Sequence, residues 1–201
     1  MAPRPTRPAL GARYDRRRAG VVERAARVFA ERGYAETSVA ELAEQLGLAA
    51  GALYHYFEGK EALLIAICDE LTVPLLEPAR ALLDADRDPQ ATLRGLLRAW
   101  VGHVTEHRDH LRVFTQVRHV VDHGEEWRAV RRGRKDFERL LDEALARLAE
   151  GGQLALDPGL ARSALLGMVN HTAQWYRPRG RFSPEEIADG YATTVLLAGR
   201  D

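Results

Sequence analysis

The chain has 201 residues, enough for one large domain or a small domain joined to a larger one. Its 46% hydrophobic content supports a packed core and excludes a disordered tail, and 29 basic against 29 acidic residues argue against a protein that simply coats nucleic acid. One cysteine, Cys68, excludes an intramolecular disulfide and a cysteine-based zinc site. No apolar run approaches the ~20 residues of a membrane span and the N-terminus lacks a signal peptide's apolar stretch, so a reducing, cytoplasmic location without a membrane partner is expected.

Charge is uneven along the chain. Between Met1 and Gly20, six arginines (Arg4, Arg7, Arg13, Arg16, Arg17 and Arg18) face only Asp15. Residues 1–12, with Pro3, Pro5, Pro8 and Gly11 and no apolar periodicity, are expected to form a flexible basic arm. Val21, Val22, Ala25, Ala26 and Phe29 then recur at helical spacing up to a stop at Gly33. Ser38 and Glu41 have the spacing of a capping box, which opens a short helix to Leu46, and a second short helix is expected over Ala50–Phe57. From Lys60 a long helix carrying Leu63, Leu64, Ile67 and Leu71 is expected to reach Leu83, kinked or interrupted by Pro74 and Pro78.

Asp88-Pro89 pairs an N-cap with a first-position proline and opens a helix with Leu93, Leu96, Leu97, Trp100, Val101 and Val104. Segments from Asp109 to Val121 and from Glu125 to Glu150 follow, the latter ended by Gly151-Gly152. Asp157-Pro158 repeats the cap-and-proline start for a helix to Trp175, and Ser183-Pro184-Glu185-Glu186 starts the last one. No segment alternates as a strand. The predicted fold class is all-α with about nine helices.

Two short helices flanking Gly47 form the unit that carries function. Glycine suits that turn because it adopts positive φ without steric cost. Val39, Leu42, Ala43, Leu46, Leu48 and Leu53 supply the inner faces. The second helix begins with Ala49, Ala50, Gly51 and Ala52, small enough to approach a groove floor, and Tyr54, His55 and Tyr56 offer groups for phosphates and bases. Lys60 opens the next helix, where its charge and the helix N-terminus both favour a phosphate.

Phe29-Ala30-Glu31-Arg32-Gly33-Tyr34, Thr37-Ser38, Leu42-Ala43, Leu46-Gly47-Leu48, Leu53-Tyr54-His55-Tyr56-Phe57 and Lys60-Glu61-Ala62-Leu63 resemble the N-terminal signature of TetR/AcrR-family regulators. The resemblance implies a homodimer whose three-helix N-terminal domain (13–59) binds double-stranded DNA, with a ligand-binding and dimerisation domain over 60–201. By carry-over, Thr37 and Ser38 contact phosphate or cap near it, Ala50, Gly51, Tyr54 and His55 face the groove, and Tyr56 and Lys60 hold the backbone. Many relatives cap the recognition helix with Ser or Thr where Ala49 stands here, and the missing cap costs about 1 kcal/mol. Base readout by the Ala/Gly face is therefore thin, which gives weight to shape readout and to the basic arm.

Gly167-Met168-Val169-Asn170, Trp175-Tyr176-Arg177-Pro178 and Phe182–Ala188 resemble an acyl-CoA-responsive subgroup of TetR-type repressors. That resemblance implies an acyl-CoA thioester or similar apolar inducer, which needs an apolar slot and cations for its phosphates. Trp100, Val104, Phe114, Val117, Met168 and Trp175 are candidates for the slot, and Arg118, Arg131, Arg132 and Arg134 for the phosphates; ordinary core and solvated helix face are the plainer readings. Leu165, Met168 and Val169 with Tyr191, Val195 and Leu196 are candidates for a four-helix dimer interface. Two recognition helices about 34–36 Å apart require a palindromic operator.

Competing readings are a metal- or redox-responsive regulator and a helical adaptor without DNA binding. His103, His107 and His110 stand at i, i+4 and i+7, with His119, His123 and His171 elsewhere, but a helix boundary at Arg108-Asp109 misaligns His110 and no carboxylate is placed to complete a metal set, so neither metal nor other cofactor is expected. Cys68 sits among Leu64, Ile67 and Leu71, a buried rather than a redox-active setting. No Gly-rich phosphate loop, Gly-x-Ser-x-Gly or Cys/His nucleophile pair is present, and no enzymatic activity is expected.

Overall fold

The computed structural model describes residues 8–85, 87–121 and 123–197; the side chains of residues 8–10 and 50 lie outside that description. Among the described residues there are ten helices. They are α1 (Pro8–Arg32), α2 (Val39–Gln45), α3 (Ala50–Leu53), α4 (Lys60–Asp69), α5 (Val73–Asp84), α6 (Pro89–Glu106), α7 (Arg108–Val121), α8 (Arg128–Glu150), α9 (Pro158–Trp175) and α10 (Pro184–Val195). Extended pairing among the described residues is limited to one antiparallel bridge, Leu154 with Leu196. No described helix is long and apolar enough to cross a membrane.

Local sequence signals set several helix ends. The Asp88 carboxylate accepts from Ala91 N at 2.9 Å, and the Asp157 carboxylate accepts from Gly159 N and Leu160 N. Ser183 and Glu186 form a reciprocal capping box at α10. Each satisfies amide groups that an uncapped helix leaves without partners. Two boundaries differ from expectation. Helix α1 begins at Pro8, so residues 8–12 of the expected flexible arm are helical; proline at a first helical turn has its φ preset and lacks a donor that would go unused there. Met1 to Arg7, with Arg4 and Arg7, lie outside the described residues. The expected Lys60–Leu83 helix is two helices, because the chain leaves helical geometry at Thr72 (φ −123°, ψ −42°) and Pro74 enters the first turn of a new one. Pro78 lies inside α5, where its missing N–H removes one ladder bond without ending the helix.

The described residues divide into two compact units. The first holds the chain up to Glu70 together with Asp109–Trp127, hence α1–α4 and nearly all of α7. Val22, Ala25, Ala26 and Phe29 of α1, Leu42 of α2, Leu53 of α3 and Leu63, Leu64 and Ile67 of α4 are among its buried apolar residues. Arg27 pairs with Asp109 at 3.9 Å, and the buried His110 has Glu23 at 3.7 Å. The Trp127 indole, fully buried, donates to Glu61 Oε1 at 3.1 Å. Thus residues 60–70 and 109–127, expected in the larger domain, pack with the smaller one.

The second unit contains α5, α6, α8, α9 and α10. Helix α6 packs against the other four, so its buried face (Leu93, Leu96, Leu97, Trp100, Val101 and Val104) is the centre of that core. Trp100 meets Phe137 of α8 edge-to-face with ring centroids 4.8 Å apart. Arg98 holds Asp189 of α10 through bonds of 2.9 and 2.7 Å, and Arg162 of α9 holds Asp142 of α8 at 2.7 Å.

Candidate nucleic-acid interface

Helix α2 is fixed at both ends. Glu41 N donates to Ser38 Oγ at 3.2 Å, while Ser38 N donates to Glu41 Oε2 at 2.8 Å, completing the capping box. These bonds hold the Glu41 carboxyl below the usual carboxylate range. At the other end, Gly47 adopts φ +65°. Its N–H donates to Glu44 O at 2.9 Å and Leu48 N–H donates to Ala43 O at 2.9 Å, the bond pair of a Schellman ending. Arg24 of α1 adds a guanidinium bond to Leu46 O at 3.0 Å, closing another terminal carbonyl.

Helix α3 is shorter than expected. It spans Ala50–Leu53 and continues as a turn in which Tyr56 N and Phe57 N both donate to Leu53 O at 3.0 Å. Ala49 occupies the N-cap in extended conformation (φ −61°, ψ 144°) without a side-chain cap bond. An uncapped helix of four residues has little stability of its own, so its position depends on what surrounds it.

Helix α1 supplies much of that support. The Tyr14 hydroxyl donates to His55 O at 3.0 Å, and the Tyr14 ring lies 5.3 Å from the Tyr56 ring. Arg18 places its guanidinium 4.6 Å over the Phe57 ring. Leu53 and Phe57 are buried beneath the turn. The outward side of this segment is Gly51, Tyr54 and His55, all exposed, with Tyr54 at 53%. Open space stands where a Cβ of Gly51 would lie, so backbone there is accessible to an approaching groove. The Ala50 side chain, expected on the same face, lies outside the described residues. Tyr56 is half-buried against Tyr14, between the core and the surface.

Lys60 is held over two aromatic faces. Its Nζ lies 4.2 Å from the Tyr34 centroid and 6.0 Å from that of Phe29, a cation–π seat at the start of α4. Partial burial lowers the ammonium pKa, opposed by Glu36 and Glu41. Burial, and then the Glu61 charge, raise the Tyr34 phenol.

Thr37 does not have the role expected for it. It is buried, and its hydroxyl donates to Gly33 O at 2.7 Å. Gly33 ends α1 at φ +90°, and Thr37 satisfies the carbonyl exposed there. Ser38 is exposed, but its hydroxyl oxygen is engaged in the capping box. Tyr14, Arg18, Arg24 and Tyr34 were absent from the sequence-based set; their contacts link residues far apart in the chain and leave no local pattern.

Of the expected slot residues, Phe114, Val117 and Arg118 belong to the first unit, on α7, and Trp100, Val104, Met168 and Trp175 to the second. Trp100 and Val104 are buried in core packing, and Trp175 is 40% exposed. Of the dimer candidates, Leu165, Val169 and Val195 are fully buried within the single chain and Leu196 nearly so, which removes them from any surface. Their helices turned these apolar positions into their own core. Met168 and Tyr191 keep partial exposure; Tyr191 Oη lies 2.9 Å from Thr172 Oγ1. His103 and His107 stack at 4.2 Å, and among the described residues no three His, Cys, Asp or Glu side chains form a metal-binding group. Burial pushes the Cys68 thiol up to about 12, far from a reactive thiolate.

Comparison with known proteins places this geometry. Residues 21–67 match the family "Bacterial regulatory proteins, tetR family", and residues 86–198 match "Tetracyclin repressor-like, C-terminal domain". The chain is similar to the HTH-type transcriptional repressor KstR2 of Rhodococcus jostii (strain RHA1), at 27% identity over 90% of this chain and 89% of that protein. Among solved structures it is similar to the TetR family transcriptional regulator PfmR from Thermus thermophilus (TM-score 0.76, 32% identity, 86% of this chain and 94% of that one). It is also similar to AibR in complex with isovaleryl coenzyme A and operator DNA (TM-score 0.75, 28% identity, 90% and 98%). The two family matches together span both compact units, and the chain belongs to the TetR family: it is a ligand-responsive, DNA-binding transcriptional regulator and not an enzyme.

Proposed function

We propose that this chain represses transcription as a homodimer seated on a palindromic operator in the cytoplasm, and that an acyl-CoA thioester releases it. The observation that carries the DNA reading is the exposed Gly51–Tyr54–His55 face, held from below by Tyr14 and Leu53 and flanked by Lys60. Phosphate contacts from Lys60 and from Arg13, Arg16 and Arg17, exposed on α1, position the protein, and the small-residue start of α3 reads shape more than base edges. The similarity to AibR, whose structure holds isovaleryl coenzyme A and operator DNA, supports the thioester as inducer.

The dimer is proposed to close through surfaces of α9 and α10 that the chain leaves uncovered. Leu160 (57% exposed), Trp175 (40%) and Leu197 (48%) are large apolar groups on or just beyond these helices. Such a face is costly to leave in water and is the expected place for a second copy.

Binding of the inducer and of DNA are linked through one equilibrium, so each weakens the other by the same factor. The test is a titration of the gene's own promoter duplex with and without short-chain acyl-CoA, paired with a titration of the thioester with and without duplex. Equal reciprocal factors support the scheme. An acyl-CoA that leaves operator affinity unchanged, or unequal factors at equilibrium, overturns it.

A further inference from the structure

We propose that Arg24 of α1 is a positioning residue for operator recognition: it ties the turn between α2 and α3 to α1 and so sets where α3 starts. Helix α2 has seven residues, and its last carbonyls need partners from beyond the helix. The amides of Leu46, Gly47 and Leu48 serve the carbonyls of Leu42, Glu44 and Ala43. The carbonyl of Leu46, the C-cap residue, accepts from Arg24 Nη1 at 3.0 Å. The same guanidinium donates through Nε to Gly20 O at 3.1 Å, so it is held at two points and its plane is fixed.

Charge favours the same contact. Glu41 stands in the first turn of α2, but the last turn contains no basic residue. The partial negative charge at that helix end is met instead by a cation from another helix. A bond from a guanidinium to a carbonyl is stronger than one between neutral groups. The planar fork also fixes direction, which a lysine ammonium, a point charge on a flexible stem, does not.

The consequence falls on α3. That helix has four residues and no side-chain cap at Ala49, so its start follows from the Leu46–Gly47–Leu48 turn that precedes it. Tyr14 bonds the carbonyl of His55, just after α3. Helix α1 therefore holds α3 at both ends, by Arg24 ahead of it and by Tyr14 behind it. The two residues stand about 15 Å apart along α1, at ~1.5 Å per residue. Without the Arg24 bond the entrance to α3 can shift, while Lys60, Arg13, Arg16 and Arg17 keep their charges. Readout of bases and shape then suffers and phosphate attraction does not. The inference rests on the reading that the Gly51–Tyr54–His55 face enters the groove.

The test compares the full chain with Arg24→Gln, Arg24→Lys and Tyr54→Ala on two duplexes, the palindrome from the gene's own promoter and a scrambled duplex of equal length, across a range of salt. For Arg24→Gln the expected result is roughly tenfold weaker binding to the palindrome, unchanged binding to the scrambled duplex and an unchanged salt slope. Arg24→Lys, which keeps the charge and a donor for Leu46 O, should return to within about threefold of wild type. Hydrogen exchange at the Gly47 and Leu48 amides should be faster in Arg24→Gln, with a thermal midpoint close to wild type. Equal losses on both duplexes with a slope lower by about 1 would make Arg24 a phosphate contact and overturn the proposal. Unchanged palindrome affinity in Arg24→Gln, or a loss that merely follows a fall in thermal midpoint, overturns it as well. If Tyr54→Ala weakens palindrome binding and Arg24→Gln does not, this inference fails alone. If neither does, the groove reading fails and takes the inference with it.

Discussion

The hydroxyl of Tyr14 donates to the carbonyl of His55 at 3.0 Å, joining residues 41 positions apart. The bond ties α1 to the turn that follows α3, the segment with the least stability of its own. Tyr14→Phe keeps the ring against Tyr56 and removes only the bond, worth about 1 kcal/mol. The expected outcome is a several-fold loss of operator affinity in fluorescence anisotropy, with a thermal midpoint close to wild type. A variant that binds as tightly as wild type would show that this tie does not order the DNA face.

Lys60 and Tyr34 can be separated by salt dependence. Lys60→Ala should weaken binding to every duplex and lower the slope of log affinity against log salt by about 1, because one phosphate contact is lost. Tyr34→Leu removes the aromatic seat under Nζ and leaves the charge. It should weaken binding less and leave the slope unchanged. Equal slopes for wild type and Lys60→Ala would place the ammonium away from phosphate.

Ala49 invites a stabilising substitution. Its extended backbone is the conformation of a capping residue, and no side chain caps α3. Ala49→Ser should therefore stabilise the helix-turn-helix by about 0.5–1 kcal/mol, read as a higher denaturation midpoint. No rise would mean that the α3 N-terminus is already satisfied by other groups.

Glu41 predicts a pH dependence. Hydrogen bonds from Ser38 lower its folded pKa, so its contribution is fully present above the unfolded value of about 4.3 and is lost as pH falls through the folded one. Glu41→Gln keeps an acceptor oxygen without the charge. Wild type should be the more stable at pH 7, and the gap should close as pH falls through the folded pKa of Glu41. A gap of constant size across that range would assign the difference to something other than the carboxylate.

The legible features were those with local causes. Ser38/Glu41, Asp88-Pro89, Asp157-Pro158 and Ser183/Glu186 each bond within a few residues, so spacing alone located their helices. Gly47 was legible for the same reason, since its positive φ is a property of one residue. Thr37 was misassigned because a hydroxyl beside a helix cap can face either outward or back, and here it serves Gly33 four residues earlier. Tyr14 and Arg24 could not be found by periodicity, since their partners lie 41 and 22 residues away. Leu165, Val169 and Val195 were apolar at the right spacing, but spacing does not distinguish a helix's own core from a partner's surface. The break at Thr72 was partly legible through Pro74, although proline at a first turn starts a helix as readily as proline farther in bends one.

The central claim is that the Tyr54 face enters a DNA groove. Anisotropy titration of a palindromic duplex from the gene's own promoter, across a range of salt, with wild type and Tyr54→Ala, tests it most directly. The account predicts saturable binding by two chains per palindrome, an affinity that falls steeply with salt, and roughly tenfold weaker binding for Tyr54→Ala at an unchanged thermal midpoint. No saturable binding at low salt to any promoter-region duplex, or full affinity in Tyr54→Ala, would contradict it.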